Sequence, residues 1–279
     1  MAPTLCVTVL VENTSPGAPL VSEAGLAMWI ETAGRRVLFD TGLGKALPVN
    51  AAALGVDLAS ADAVVLSHGH IDHTGGLAHA MAQAPGATCY AHPAALEAKY
   101  SCRDKANPRQ NGMPPDCAAR LQSSDYRFVE TRGPTEIVPG LHATGEVPRE
   151  TDYEDTGVTF YLDPEARRPD LLPDDQSLWV ECPQGLVVLC GCAHAGIVNT
   201  LTHVTRLAGT DRVHAVIGGT HLMSASAERL EATARALERF DIGLLAVCHC
   251  TGLAGRDFFR RRLPDRFVEC TAGSRFVFE

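Results

Sequence analysis

The sequence predicts an α/β fold, and three observations carry that prediction. Short apolar segments of strand length alternate with segments whose apolar residues recur at helical spacing. His68, His194, His221 and His249 each follow the end of an apolar segment, where rigid sheets present ligand sites in α/β folds. Residues 67–77 read S-H-G-H-I-D-H-T-G-G-L, which puts three imidazoles and a carboxylate within six positions.

The elements follow in order. Residues 5–11 are apolar, as a buried strand is. Residues 26–31 and 35–39 form a pair of short strands about the Ala33-Gly34 turn, and Asp40-Thr41-Gly42 ends the second. Residues 47–54 are helical, with Gly55 as the stop. Residues 61–67 are a strand whose exit is the histidine cluster. Gly75-Gly76 then opens a helix through Met81, closed by Pro85-Gly86. From 99 to 139, Asn107-Pro108, Asn111-Gly112 and Pro114-Pro115 crowd turn signals together, so this stretch reads as an insertion or lid with little regular structure. Strand character returns over 156–162, and a polar break runs from 163 to 175. Residues 177–182 and 186–190 make a hairpin about Gln184-Gly185. Ile197, Leu201, Val204 and Ala208 mark a helix, residues 213–217 a strand, Leu230, Ala234 and Leu237 a helix, and residues 244–247 a strand. Residues 267–278 supply short strand material. The expected organisation is one domain over 1–279, with pseudo-symmetric halves near 1–165 and 175–279.

With 46% apolar and 20% charged residues, a sizeable core is affordable and the composition argues against disorder. The net charge of −9 argues against nucleic acid as a partner, because phosphate backbones select basic patches. No apolar run approaches a membrane span, and the first residues carry no basic, then apolar, leader pattern. The ten cysteines resemble no small disulfide framework, so reduced thiols and a cytoplasmic setting are expected. The expected partner is a small molecule, anionic if a metal dominates the local field. Oligomeric state is not legible.

Neutral imidazole binds zinc, manganese or iron, and carboxylate favours harder ions. His68 and His70 are alternate residues and can share one ion, while Asp72 and His73 can serve a second close by. Such an ion acidifies water, so the expected cofactor is one or two divalent ions, zinc first and manganese or iron as alternatives. The plain alternative is a polar loop of hydrogen-bonded histidines. His194 and His249 are the best candidates to complete the shell, with His221 as a third; each could instead be a core or capping residue. Cys190-x-Cys192 and Cys248-x-Cys250 have one intervening residue rather than the two to four of structural zinc sites, so most of these thiols read as small buried hydrophobes. Cys192 stands apart because it sits beside His194. Asp40 reads either as a turn residue or as a carboxylate that orients a metal-bound histidine.

The runs V-L-F-D-T-G at 37–42 and S-H-G-H-I-D-H-T-G-G at 67–76 resemble the metallo-β-lactamase superfamily. The resemblance implies an αββα four-layer sandwich with a metal site along one edge. Further runs at 11–14, 23–26, 144–149, 191–197, 218–222 and 248–252 are similar to a branch that includes archaeal dihydropterin-ribofuranosylaminobenzene-phosphate synthases. Superfamily hydrolases usually place a third site histidine where this chain has Glu146, and a bridging aspartate where it has Gly191-Cys192. The ligand set implied here is therefore rebuilt around His194, with Glu146 or Cys192 as alternative ligands.

Three functions follow from these readings. The first is a hydrolase in which a metal-bound hydroxide attacks an ester, phosphoester or lactone-like centre. There Asp72 orients the water or takes its proton, and Arg149 holds a substrate phosphate or carboxylate. The second is a synthase or transferase acting on a pterin-like or phosphorylated substrate at the same site, with Tyr100, Tyr126, Phe128 or Tyr153 as stacking partners. The third is a non-catalytic metal or ligand sensor.

Overall fold

The computed structural model describes residues 5–104, 106–123, 126–154 and 159–279. Strand β1 (Leu5–Val11) is buried along both faces, as a strand covered by a sheet on one side and helices on the other must be. It starts a sheet that continues through β2 (Ala27–Thr32), β3 (Arg35–Phe39), β4 (Ala63–Val65) and β5 (Thr88–Ala91). Two-residue strands β6 (Tyr100–Ser101) and β7 (Arg109–Gln110) lie apart from it, and β8 (Arg127–Glu130) adds to its far edge beside β5. The second sheet holds β9 (Thr135–Val138), β10 (Leu141–Ala143), β12 (Ser177–Cys182), β13 (Gly185–Cys190), β14 (Val213–Gly219) and β15 (Leu244–Cys248). Between them in the chain, β11 (Phe160–Tyr161) pairs with β6. The last strand, β16 (Arg275–Phe278), returns to the first sheet and runs antiparallel to β1.

Alternation along each strand builds the layers. Val7, Ile30, Phe39 and Val65 of the first sheet face Val180, Leu189 and Ile217 of the second in one central core. The opposite faces carry Trp29, Leu38 and Val64 against Leu47 of α1 (Ala46–Ala53) and Leu77 and Met81 of α3 (Leu77–Gln83). Val188 and Val216 pack against Leu201 of α5 (Ile197–Ala208), Leu237 of α6 (Ala227–Glu238) and Phe259 of α7 (Gly252–Arg262). The outcome is the expected αββα sandwich. Each such buried Leu, Ile or Phe side chain contributes about 1.5–3 kcal/mol. Two short helices complete the chain: α2 (Ile71–Thr74) inside the histidine motif and α4 (Pro115–Gln122).

Several elements differ from the sequence reading. Residues 99–139 hold β6, β7, α4, β8 and β9, not an irregular lid. Their signal is weak because the strands have two to four residues and α4 buries only Cys117 and Leu121. β5 was not anticipated; it is four residues long and half-buried at alternate positions. Helix α7 was hidden by its two glycines and arginine-rich end. Two segments cross the division near residues 165–175: β9 and β10 pair with the second sheet, and β16 with the first. Of the strand expected over 156–162, residues 156–158 lie outside the described residues, and β11 covers 160–161.

β3 and β4 run parallel, as do β13, β14 and β15. Their C-terminal ends therefore open at one edge, where the chain places Asp40, Ser67-His68, Gly191-Cys192, Thr220-His221 and His249.

Candidate metal centre

Asp40 leaves β3 with φ 60°, a left-handed conformation that turns its carboxylate inward. Its Oδ1 accepts the Ser67 backbone N–H at 2.7 Å and its Oδ2 accepts the Ser67 hydroxyl at 2.7 Å. The Ser67 oxygen, having donated, accepts from His68 Nδ1 at 2.9 Å. Asp40 Oδ2 also accepts from His73 Nδ1 at 2.7 Å. On the other side of the site, His249 Nδ1 lies 3.0 Å from Asn13 Oδ1, and its backbone N–H donates to Glu12 Oε1 at 2.7 Å. Each Nδ1 is thus engaged, which directs the Nε2 atoms of His68, His73 and His249 into the site.

Those Nε2 atoms crowd together. His68 Nε2 lies 2.9 Å from His70 Nδ1 and 3.3 Å from His194 Nε2. His73 Nε2 lies 3.1 Å from His249 Nε2, 3.2 Å from Cys192 Sγ and 3.9 Å from Asp72 Oδ2, and Asp72 Oδ2 is 3.5 Å from His249 Nε2. One ring nitrogen makes one good in-plane hydrogen bond, so neither His68 nor His73 can satisfy every neighbour with protons alone. Among the described residues, His68–Cys192–His194 and His73–Cys192–His249 each bring three ligand atoms within 4.8 Å of one another. His70 Nε2 and His194 Nδ1 are buried without partners. Imidazole, thiolate and carboxylate focused in this way fit a divalent transition ion.

Electrostatics divide the cluster. Burial, reinforced by neighbouring imidazoles, holds His68 and His194 well below the usual histidine range. Burial brings His70 down to about 3 and lowers His249. His73 goes the other way: burial opposes it, but the carboxylates of Asp40 and Asp72 raise it to about 9. Asp72 is lowered against its burial by the charges of His73 and His249.

The loop carrying these residues is clamped from below. Gly69 is required because a Cβ there would come within 2.3 Å of the Ala95 carbonyl oxygen. Its N–H donates to Asp174 Oδ2 at 2.7 Å. Asp174 and Asp170 in turn hold the fully buried Lys99 at 3.0 and 2.8 Å. The turn carrying His194 is held by Asp175, whose Oδ2 accepts the Ala195 N–H at 2.9 Å and which burial pushes up to about 6.

His68, His70, Asp72, His73, His194 and His249 come together, with Cys192 between the two groups and Asp40 behind them. His221 stacks obliquely on His194, ring centres 4.1 Å apart, and joins Cys192 and Cys250 in a third group. Glu146 is exposed and in none of these groups. Arg149 does not line the cleft described below; its Nη1 and Nη2 donate to the backbone oxygens of His194 (2.8 Å) and Leu171 (3.0 Å). Tyr126 and Phe128 pack against the α1–α4 layer.

A cleft of about 410 Å³ opens over the cluster. It is lined by Asp72, His70, His194, His221 and His249, by Phe160, and by Arg103 and Arg109 at its rim. Among the described residues, no carboxylate is ion-paired with either arginine. Sequence reasoning passed over Arg103 and Arg109 because they lie in the turn-rich stretch, and over Phe160 because it read only as part of a strand over 156–162. It also passed over Glu12 and Asn13, whose polar side chains directly after an apolar strand were the available signal.

A family model described as the metallo-beta-lactamase superfamily matches residues 22–249. The chain is 28% identical to the 7,8-dihydropterin-6-methyl-4-(beta-D-ribofuranosyl)-aminobenzene-5'-phosphate synthase of Methanocaldococcus jannaschii, covering 97% of this chain and 95% of that one. Among solved structures it superimposes on Tm1679, described as a metal-dependent hydrolase of the beta-lactamase superfamily, with TM-score 0.82, 30% identity and 98% of both chains covered. Zinc-bound PqqB from Methylobacterium extorquens shares the fold alone, with TM-score 0.59 and 16% identity over 97% of this chain and 99% of that one. The sandwich, the edge site and these matches agree: the chain belongs to the metallo-β-lactamase superfamily.

Proposed function

We propose that this chain is a metal-dependent hydrolase of small anionic molecules, a phosphoester in the first instance. The observation that carries the reading is the histidine–aspartate cluster on the floor of a cleft whose rim holds two arginines, Arg103 and Arg109. Two ions are proposed, zinc first. His68, His70 and His194 would hold one; Asp72, His73 and His249 would hold the other, with Cys192 within reach of both. When bound, such ions polarise a substrate oxygen and acidify water.

The chain's own groups do the rest. Arg103 and Arg109 orient the anionic end of the substrate by charge-assisted hydrogen bonds. Asp72, about a third exposed to the cleft, is held ionised, with Oδ2 turned to His73 and His249 and its other oxygen left to take a proton. Phe160 lies with its ring centre 4.4 Å from that of His70 and keeps water from that side. The ten cysteines are buried free thiols, and a cytoplasmic setting is part of the proposal. No helix among the described residues is long and apolar enough to cross a membrane.

A second reading is a synthase acting on a phosphorylated, pterin-like substrate. It is favoured by the full-length similarity to the archaeal synthase and by the flat face of Phe160 beside the arginines. A panel of phosphomonoesters, phosphodiesters and lactones, run with added zinc or manganese, tests the first reading. Turnover is expected on phosphoesters, KM is expected to rise about tenfold or more in Arg103→Ala and Arg109→Ala, and kcat is expected to collapse in His68→Ala. Turnover that survives His68→Ala sinks it. Inactivity on the whole panel, with condensation of a dihydropterin and a phosphorylated aminobenzene riboside, favours the second.

A further inference from the structure

Beside the imidazole cluster stands a group of three, of which neither reading uses His221 or Cys250. Cys192 follows β13, His221 follows β14 and Cys250 lies one residue beyond the His249 that follows β15. These are neighbouring parallel strands, so the three side chains are presented from a rigid base. The two Sγ atoms and a ring nitrogen of His221 lie within 4.8 Å of one another. Both thiols are buried, and His221 Nδ1 is a buried atom with no hydrogen-bond partner.

The surroundings are shaped to this group. A Cβ at residue 219 would approach Cys250 Sγ to 2.6 Å, so the thiol occupies room that only glycine leaves. His221 sits at φ 49°, an uncommon conformation for a residue with a side chain. Its backbone N–H donates to Cys250 Sγ at 3.2 Å. All three residues line the cleft, so a cation held by them keeps one side open.

We propose that Cys192, Cys250 and His221 form a further cation site, adjoining the imidazole cluster, that takes zinc or another borderline-to-soft ion. Two sulfurs and one nitrogen with an open fourth side is a donor set zinc accepts, and sulfur disfavours magnesium or calcium. The proton of each thiol passes to solvent as the ion binds, and no electron moves. Cys192 Sγ is also 3.2 Å from His73 Nε2, so this sulfur links the new site to the cluster. The assignment holds whether the enzyme hydrolyses or condenses its substrate.

The test strips the full chain with a chelator and reloads it with cobalt(II), counting bound ions by elemental analysis and recording thiolate-to-cobalt charge-transfer absorption. Cys250→Ser and His221→Ala are each expected to lose one ion per chain. Cys250→Ser is also expected to lose charge-transfer intensity, while the part due to Cys192 persists. His68→Ala is expected to keep the Cys250 contribution. Unchanged ion counts and spectra in both Cys250→Ser and His221→Ala overturn the proposal. Alkylation of the unaltered chain gives a check free of folding defects. Zinc is expected to protect Cys250 from the reagent, and equal labelling with and without zinc also overturns the assignment.

Discussion

Asp40 Oδ2 lies 2.7 Å from His73 Nδ1, and neither side chain is exposed. The same oxygen accepts the Ser67 hydroxyl, so one carboxylate sets the orientation of His73 directly and of His68 through serine. Replacing Asp40 by Asn keeps the size and removes the charge. Zinc affinity is expected to fall about 10–100-fold, with the loss concentrated at the position that contains His73. Competition titration with a chromophoric chelator measures it, and an unchanged affinity would make Asp40 a turn residue only.

Proton competition should order the loading of the two positions. His73, raised to about 9, is an imidazolium at neutral pH in the ion-free chain and must give up a proton to bind metal. His68, His70 and His194 are already unprotonated there. Occupancy at the His73 position should therefore rise as pH climbs towards 9, while the other fills in mildly acidic buffer. Ion counts across acidic, neutral and mildly alkaline buffers check the order; both ions entering together with the same pH dependence would contradict it.

Arg149 is expected to act through His194. Its guanidinium ties the His194 carbonyl to Leu171 by two hydrogen bonds, and charged donors of this kind contribute about 1.5–3 kcal/mol each to stability. Arg149→Ala should lower the thermal midpoint and weaken the first metal position without changing inhibition by inorganic phosphate. A selective loss of phosphate inhibition would instead return Arg149 to the role of anion ligand.

Lys99 is buried between Asp170 and Asp174. Lys99→Met leaves two buried carboxylates without their cation, a change that costs about 3–5 kcal/mol. Urea unfolding at neutral pH reads the loss directly. Partial recovery is expected in Lys99→Met with Asp170→Asn, because one uncompensated charge is then removed.

The legible parts of this protein are those in which chemistry is contiguous in the chain. His68 to His73 lie on a single turn into α2, and Asp40 follows its strand directly, so spacing alone exposed them. His194, His221 and His249 were legible as strand-end residues because parallel strands point their ends the same way. Lys99, Asp170 and Asp174 were not, because their pairing joins segments more than seventy residues apart and leaves no local pattern. Arg149 misled for a related reason: an arginine in a polar loop looks available until the backbone oxygens that occupy it are seen. β9 and β10 were missed because strands of four and three residues carry too few alternations to register a period.

The pairing of β16 with β1 has a bearing on biosynthesis. Strand β1 leaves the ribosome well before residues 275–278, which cover its outer edge. Throughout translation that edge offers unsatisfied amides and carbonyls to any passing chain. Nascent polypeptides halted before β16 should consequently be sticky, chaperone-dependent species, and the docking of β16 should be the event that seals them.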